Sequence, residues 1–163
     1  GGMRLASQAM RFVTTVAVVG VLMHFFGEAL PRDRMHWDRF PYREYDWEKS
    51  GAIYSKMGIR HWKDRLPDKS KVIKSTVRKQ VGKDYSADHL LRLVQETCVA
   101  ELVHWILVAV SPVLLVTMAG ALSVWATVLY GLSNLPFIMI QRYNRPRLVR
   151  LYQHARRREG EMA

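Results

Sequence analysis

Between Leu102 and Ile140 the chain reads LVHWILVAVSPVLLVTMAGALSVWATVLYGLSNLPFIMI, 39 residues without a Lys, Arg, Asp or Glu. One bilayer crossing takes about 20 apolar residues, so this stretch is long enough for two. Gly120 lies near its middle among small residues, which suits a tight turn. A helical hairpin folds its two ends back to one membrane face. Those ends are Glu101-Leu102-Val103-His104-Trp105 and Gln141-Arg142-Tyr143-Asn144-Arg145-Pro146-Arg147. The hairpin therefore predicts Glu101, His104, Asn144 and several arginines close together at a water–lipid boundary.

Working outward, residues 12–27 carry no formal charge and extend into further apolar sequence on both sides. They predict a first transmembrane helix over 5–30, ended by Pro31. No small-x-small cleavage site follows the apolar run, so an uncleaved anchor is preferred to a signal peptide. Gly1 and Gly2 read as a tag remnant before a natural start at Met3. The second span is expected over Val99 to Met118 with a kink at Pro112. The third is expected over Ala121 to Ile140, with Pro136 near its end and the helix broken at Asn144-Arg145-Pro146.

The polar section, 31–98, holds 16 Lys or Arg against 10 Asp or Glu. Its first part interleaves Trp37, Phe40, Tyr42, Tyr45, Trp47 and Tyr54 with charges, as suits a headgroup region. Gly58 and Pro67 punctuate short elements there. Ser86, with Asp88 in the first turn, predicts a helix start. Residues 141–163 hold seven Arg and two Glu and predict a basic surface helix. The positive-inside rule then places the polar section and the tail in the cytoplasm.

Mean hydropathy is only −0.10, an average over segregated apolar and charged blocks. The net charge of +11 flanks apolar spans, which points to anionic lipid and phosphorylated substrates rather than nucleic acid. Cys98 is the only cysteine, which excludes an intrachain disulfide and a C-x-x-C site. It reads as apolar filler, with a nucleophile as the lesser alternative. No metal site is suggested.

Glu101 and His104 stand at i, i+3 and share a helix face. His104 lies one turn inside the uncharged run, where an ionisable group is a functional candidate. A carboxylate beside an imidazole fixes its tautomer and raises its basicity, the arrangement of a general base. The bland alternative is an interfacial pair at the helix entry. The arginines after Gln141 suit phosphates, or act only as a positive-inside stop signal. His24 and Glu28, at i, i+4, join the site or snorkel. His154 and Glu159, five apart in a basic tail, are discounted.

At these motifs the chain resembles the glycosyl-4,4'-diaponeurosporenoate acyltransferase family of small bacterial membrane proteins. The resemblance is carried by Trp62-Lys63 with Leu66, by the run from Glu96 to Trp105, by Asn134-Leu135-Pro136-Phe137-Ile138, and by Gln141 to Leu148. Trp47-Glu48-Lys49 with Gly51 matches more weakly. The resemblance implies transfer of a fatty acyl group to a hydroxyl of a membrane-bound glycolipid. It assigns no residue a role.

The sequence thus predicts an all-α membrane protein of three spans in the bacterial inner membrane. It has a cytoplasmic interfacial section and a cytoplasmic active site. His104, aided by Glu101, is expected to deprotonate a sugar hydroxyl, with Asn144 or Asn134 donating to the oxyanion. Arg142, Arg145, Arg147 and Lys63 are expected to hold the phosphates of an acyl-CoA or acyl carrier protein donor. Trp62, Trp105, Gln141 and Asn134 are expected to contact substrate. Membrane lipid is the surrounding partner, no bound cofactor is called for, and a homo-oligomer would supply extra wall for the site. Two rival readings are a non-enzymatic subunit and a glycolipid hydrolase using the same pair.

Overall fold

A computed structural model describes residues 1–66 and 85–162. The described residues form helices, turns and loops, with no strand among them. Three helical stretches are long and apolar enough to cross a membrane: Gly2–Ala29, Ala87–Val116 and Gly120–Glu161. The chain divides into two compact units. One comprises Gly1–Leu30 and Leu102–Pro136, and the other Pro31–Glu101 and Phe137–Ala163.

The first unit contains α1 (Gly2–Ala29). It stops at Leu30, which turns extended (ψ 132°) as a residue before proline prefers. The unit also holds the end of α4 (Ala87–Val110), a 3-10 helix over Ser111–Val116 containing Pro112, and α5 (Gly120–Ser133). The turn falls at Gly120, whose φ of +69° a glycine adopts without steric cost. Val13, Val18, Leu22, Phe25, Val113, Val124, Trp125 and Leu129 are all exposed. So much bare apolar surface is stable in lipid rather than in water. Several hydroxyls in this unit are turned back onto backbone, although the buried Thr127 hydroxyl has no partner among the described residues. Ser111 donates to the Val108 carbonyl (2.8 Å), Thr117 to Leu114 (2.6 Å) and Ser123 to Leu115 (2.8 Å). Hydrocarbon offers such groups no other partner.

In the second unit, α4 up to Glu101 packs against α6 (Leu135–Glu161) from Phe137 onward. Leu90 clusters with Ala155, Val94 with Leu148, and Glu101 bonds Arg142. Rising numbers on one helix meet falling numbers on the other, so the two run antiparallel. Leu90, Val94, Thr97, Cys98 and Glu101 repeat at three and four residues and are all buried, the stripe a packed helix presents. The Ser86 hydroxyl accepts from the His89 amide at 3.2 Å, the expected N-cap, and Glu159 accepts from the Ala87 amide at 2.9 Å. Glu159 thus caps α4. The described part of the polar section is a set of short turns. These are 3-10 helices at Arg32–Arg34, Asp46–Gly51 and Lys63–Arg65, with α2 (Ala52–Lys56) and α3 (Ile59–Trp62). Tyr54 and Ile59 from these turns form a core with Ile140 and Tyr143 of α6. Pro67 lies outside the described residues.

One sequence expectation is corrected here. The break in the third apolar stretch is at Asn134, not at Pro146. Pro136 sits in the first turn of α6, where its missing N–H costs nothing. Helix α6 then runs through Pro146 without interruption. Residues Ile140 to Arg145 are all buried, enclosed by α4 and by the short turns. That packing holds the helix across the one backbone bond Pro146 removes. The second span runs on to Val116, and Pro112 opens the 3-10 turn at the expected kink.

Lys49 and Ser50 both adopt positive φ (48° and 56°), and Gly51 follows at +85°. A Cβ on Gly51 would lie 3.3 Å from the Tyr143 carbonyl oxygen, whereas one on Gly120 would meet nothing within 4 Å. Gly120→Ala should therefore cost only the left-handed penalty of about 1–2 kcal/mol, and Gly51→Ala distinctly more. Thermal melts of both variants in detergent check this, and equal shifts would contradict the close approach at Tyr143.

Candidate active site

Four charged side chains meet in the interior of the second unit. Arg142 donates Nε to Glu48 Oε1 (2.6 Å) and Nη2 to Glu48 Oε2 (2.7 Å), a two-pronged pair. Its Nη1 reaches Glu101 Oε1 (2.7 Å) and the Pro41 carbonyl (3.0 Å), and its Nη2 also reaches the Arg43 carbonyl (2.9 Å). A guanidinium has five N–H donors, and Arg142 uses all five. Arg145 bonds the other oxygen of Glu101, the Thr97 hydroxyl (2.9 Å), the Thr97 carbonyl (3.2 Å) and the Tyr42 carbonyl (2.8 Å). Glu48 and Glu101 are 2% and 0% exposed, so the charges sit away from water and must balance one another. Two carboxylates face two guanidiniums, and they do.

The local sequence explains how Glu48 arrives there. The left-handed Lys49, Ser50 and Gly51 fold the chain sharply behind it. Its carboxylate accepts from the Tyr45 amide (2.8 Å) and the Tyr54 hydroxyl (2.6 Å) as well as from Arg142. Burial pushes the Glu48 pKa up, but hydrogen bonds from Arg142, Tyr54 and the Tyr45 amide outweigh it and hold the group below its ordinary value. Tyr54 moves the opposite way, raised by burial and by the Glu48 carboxylate.

These contacts revise the phosphate role expected of Arg142. Its donors are all engaged inside the protein, and none is left for a ligand. Arg145 is 4% exposed, and four of its five donors are engaged inside the protein. Glu101 is the acceptor that joins the two arginines. Arg147 lies 4.0 Å from the Tyr143 ring centroid and Lys63 5.7 Å from the same ring, so both meet an aromatic face. The Trp62 indole donates to the Met57 carbonyl at 3.1 Å, and Gln141 is buried in α6. Asn144 is also buried, and its Nδ2 has no hydrogen-bond partner among the described residues. Glu48 is the member that sequence reasoning missed. It stood in the Trp47-Glu48-Lys49 motif, and two arginines beside an apolar span already called for a second acid.

His104 and Asn134 belong to the first unit. His104 Nδ1 lies 3.0 Å from Asn134 Oδ1. The Asn134 Nδ2 donates to the Tyr130 carbonyl at 2.9 Å, which fixes the orientation of the amide. Its oxygen therefore faces the imidazole. In the neutral ring Nδ1 then carries the proton, and the basic lone pair is on Nε2. Asn134 thus orients the imidazole through its oxygen, and one of its two amide N–H groups is engaged by the Tyr130 carbonyl. Trp105 is exposed.

A family profile described as glycosyl-4,4'-diaponeurosporenoate acyltransferase matches residues 38–154. Proteins of that name from Staphylococcus aureus strains bovine RF122 / ET3-1 and MRSA252 are each 28% identical over 134 residues, covering 81% of this chain and 80% of the relative. The one from strain N315 is 29% identical over 119 residues, covering 72% and 71%. No solved structure matches the chain. The matched range contains Glu48, Glu101, His104, Asn134, Arg142, Asn144 and Arg145.

Because Glu48 is held below the carboxylate value of the unfolded chain, about 4.3, the unfolded state takes up its proton first as pH falls. The stability Glu48 supplies is complete above that value and is lost as pH drops through the lower folded one. Melting temperature in detergent should fall on the acid side, and the acid limb should be shallower in Glu48→Gln. An unchanged acid limb in that variant would contradict the assignment.

Proposed function

Because the chain belongs to the glycosyl-4,4'-diaponeurosporenoate acyltransferase family and is an acyltransferase, we propose that it moves a fatty acyl group from a thioester to a sugar hydroxyl. The acceptor is a glycosylated carotenoid or a related glycolipid, and the reaction takes place at the cytoplasmic face of the bacterial inner membrane. Membership of an enzyme family sets the scaffold reading aside. The observation that carries the chemistry is the His104–Asn134 contact inside a stretch that has no formal charge.

His104 Nε2 takes the proton of the sugar hydroxyl as its oxygen attacks the thioester carbonyl. The tetrahedral adduct collapses, the carbon–sulfur bond breaks, and the thiolate leaves with the proton returned by the imidazolium. The products are the sugar ester and a free thiol. Asn134 is a positioning residue, holding the imidazole in the tautomer with Nε2 unprotonated. Glu101 supports the reaction only through the fold, as a partner of Arg142 and Arg145.

Lipid mass spectrometry of cells supplied with a glycosylated carotenoid tests this. Wild type should yield a species heavier by one fatty acyl group, and His104→Ala should lower its rate by about 10²–10⁴-fold. Asn134→Asp, which keeps an acceptor oxygen, should retain more activity than Asn134→Leu. Full acylation by folded His104→Ala would remove His104 from the mechanism.

A further inference from the structure

The arginines of the second unit fall into two groups. Arg32, Arg142 and Arg145 are buried and paired with carboxylates. Arg150, Arg156 and Arg157 are exposed, and among the described residues they have neither an ion pair nor a hydrogen bond. Arg150, Gln153 and Arg157 stand at i, i+3, i+7 on α6 and share one helix face, with Arg156 beside it. Unmatched guanidiniums grouped in this way are what an anionic ligand requires.

They border a groove. Two cavities, of about 520 and 460 Å³, share Trp37 and Gln153 as walls. Each falls within the range of about 300–1,000 Å³ typical of small-molecule sites. Among the described residues the smaller is lined by Trp37, Tyr152, Gln153, Arg156 and Arg157, with no carboxylate. The larger places Asp38 and Glu44 alongside Arg43 and Arg150. The groove is therefore graded, cationic at one end and of mixed polarity at the other. Between them stands Trp37, packed from behind by the Val94, Leu148 and Val149 cluster.

We propose that this groove takes the nucleotide end of the thioester donor, so that the donor is an acyl-coenzyme A. The proposal rests on the acyl-transfer reading above and names its donor. The phosphates lie on Arg156 and Arg157, where two cations meet no competing acid among the described residues. The adenine stacks on Trp37, an aromatic face that accepts a base. The pantetheine arm, neutral and rich in amide N–H, follows the larger cavity, where Asp38 and Glu44 accept from it. The role that sequence reasoning gave to Arg142 and Arg145 passes to arginines whose donors are not already engaged. An acyl carrier protein offers a single phosphodiester and no adenine, and so matches only part of the groove. A phospholipid headgroup shares the phosphate chemistry but not the base.

Calorimetric titration of free coenzyme A into the full chain, held in phosphatidylcholine nanodiscs, tests the assignment. Binding in the micromolar range is expected, weakened by added salt because the arginines are exposed. Removing the 3′-phosphate from the ligand, or making Arg156→Gln with Arg157→Gln, should weaken it about tenfold or more. Trp37→Leu should weaken coenzyme A but not inorganic pyrophosphate. Undetectable binding, or equal binding in the double variant, would overturn the proposal. So would loss of binding when phosphatidylglycerol is included in the nanodisc, which would assign the groove to a lipid headgroup. The probe carries no acyl group, so the two readings fail separately. Acylation without coenzyme A binding leaves the acyltransferase chemistry and removes this donor, whereas binding without acylation does the reverse.

Discussion

Two arginines cannot be buried in one helix without two acids to meet them. An isolated charge in a protein interior costs several kcal/mol even after relaxation, and α6 carries Arg142 and Arg145 within a single turn. Much of the second unit answers that constraint. Glu101 comes from α4, Glu48 comes from a sharply folded turn, and backbone carbonyls of Pro41, Tyr42, Arg43 and Thr97, with the Thr97 hydroxyl, take further donors. The turn at Lys49, Ser50 and Gly51 follows from this, since it presents Glu48 and brings Gly51 against the backbone of Tyr143. Removing either acid would leave a guanidinium buried without its counter-charge.

The separation of structural from available arginines bears directly on function. A run such as Arg142, Arg145 and Arg147 reads as a phosphate clamp when only residue types are considered. Donor counting gives a different result, because a guanidinium whose N–H groups are all engaged has nothing left to offer a ligand. The exposed arginines two turns and more along the same helix are the ones with free capacity. The imidazole follows a similar logic. His104 takes its orientation from an amide on the next apolar segment, and the acid nearest to it in sequence serves the arginines.

Much of the fold was legible in the sequence, and the physical reason differs by element. The three apolar stretches, the turn at Gly120 and the helix start at Ser86 are local signals of length, composition and capping, and each appears where expected. The continuity of α6 was not legible. Pro146 is a local breaker, and only the tertiary enclosure of Ile140 to Arg145 overrides it. The meeting of Glu101 with the arginines across the uncharged stretch followed from hairpin geometry. Glu48 lies 94 residues from Arg142, joined by a turn whose left-handed Lys49 and Ser50 no propensity announces. The contact of His104 with Asn134, 30 residues apart, was not legible, because the i, i+3 spacing of Glu101 and His104 offered a nearer partner.

A double-mutant cycle on Glu48 and Arg142 tests the central constraint most directly. Glu48→Gln, Arg142→Gln and the double variant would be compared by denaturant unfolding in detergent. If the buried pair holds the second unit together, each single change should cost about 3–5 kcal/mol. The double should then fall short of their sum by more than about 1 kcal/mol, since the second change removes a charge the first has already orphaned. Costs that add to within about 0.5 kcal/mol would mean that the two side chains do not depend on each other, and would contradict the account.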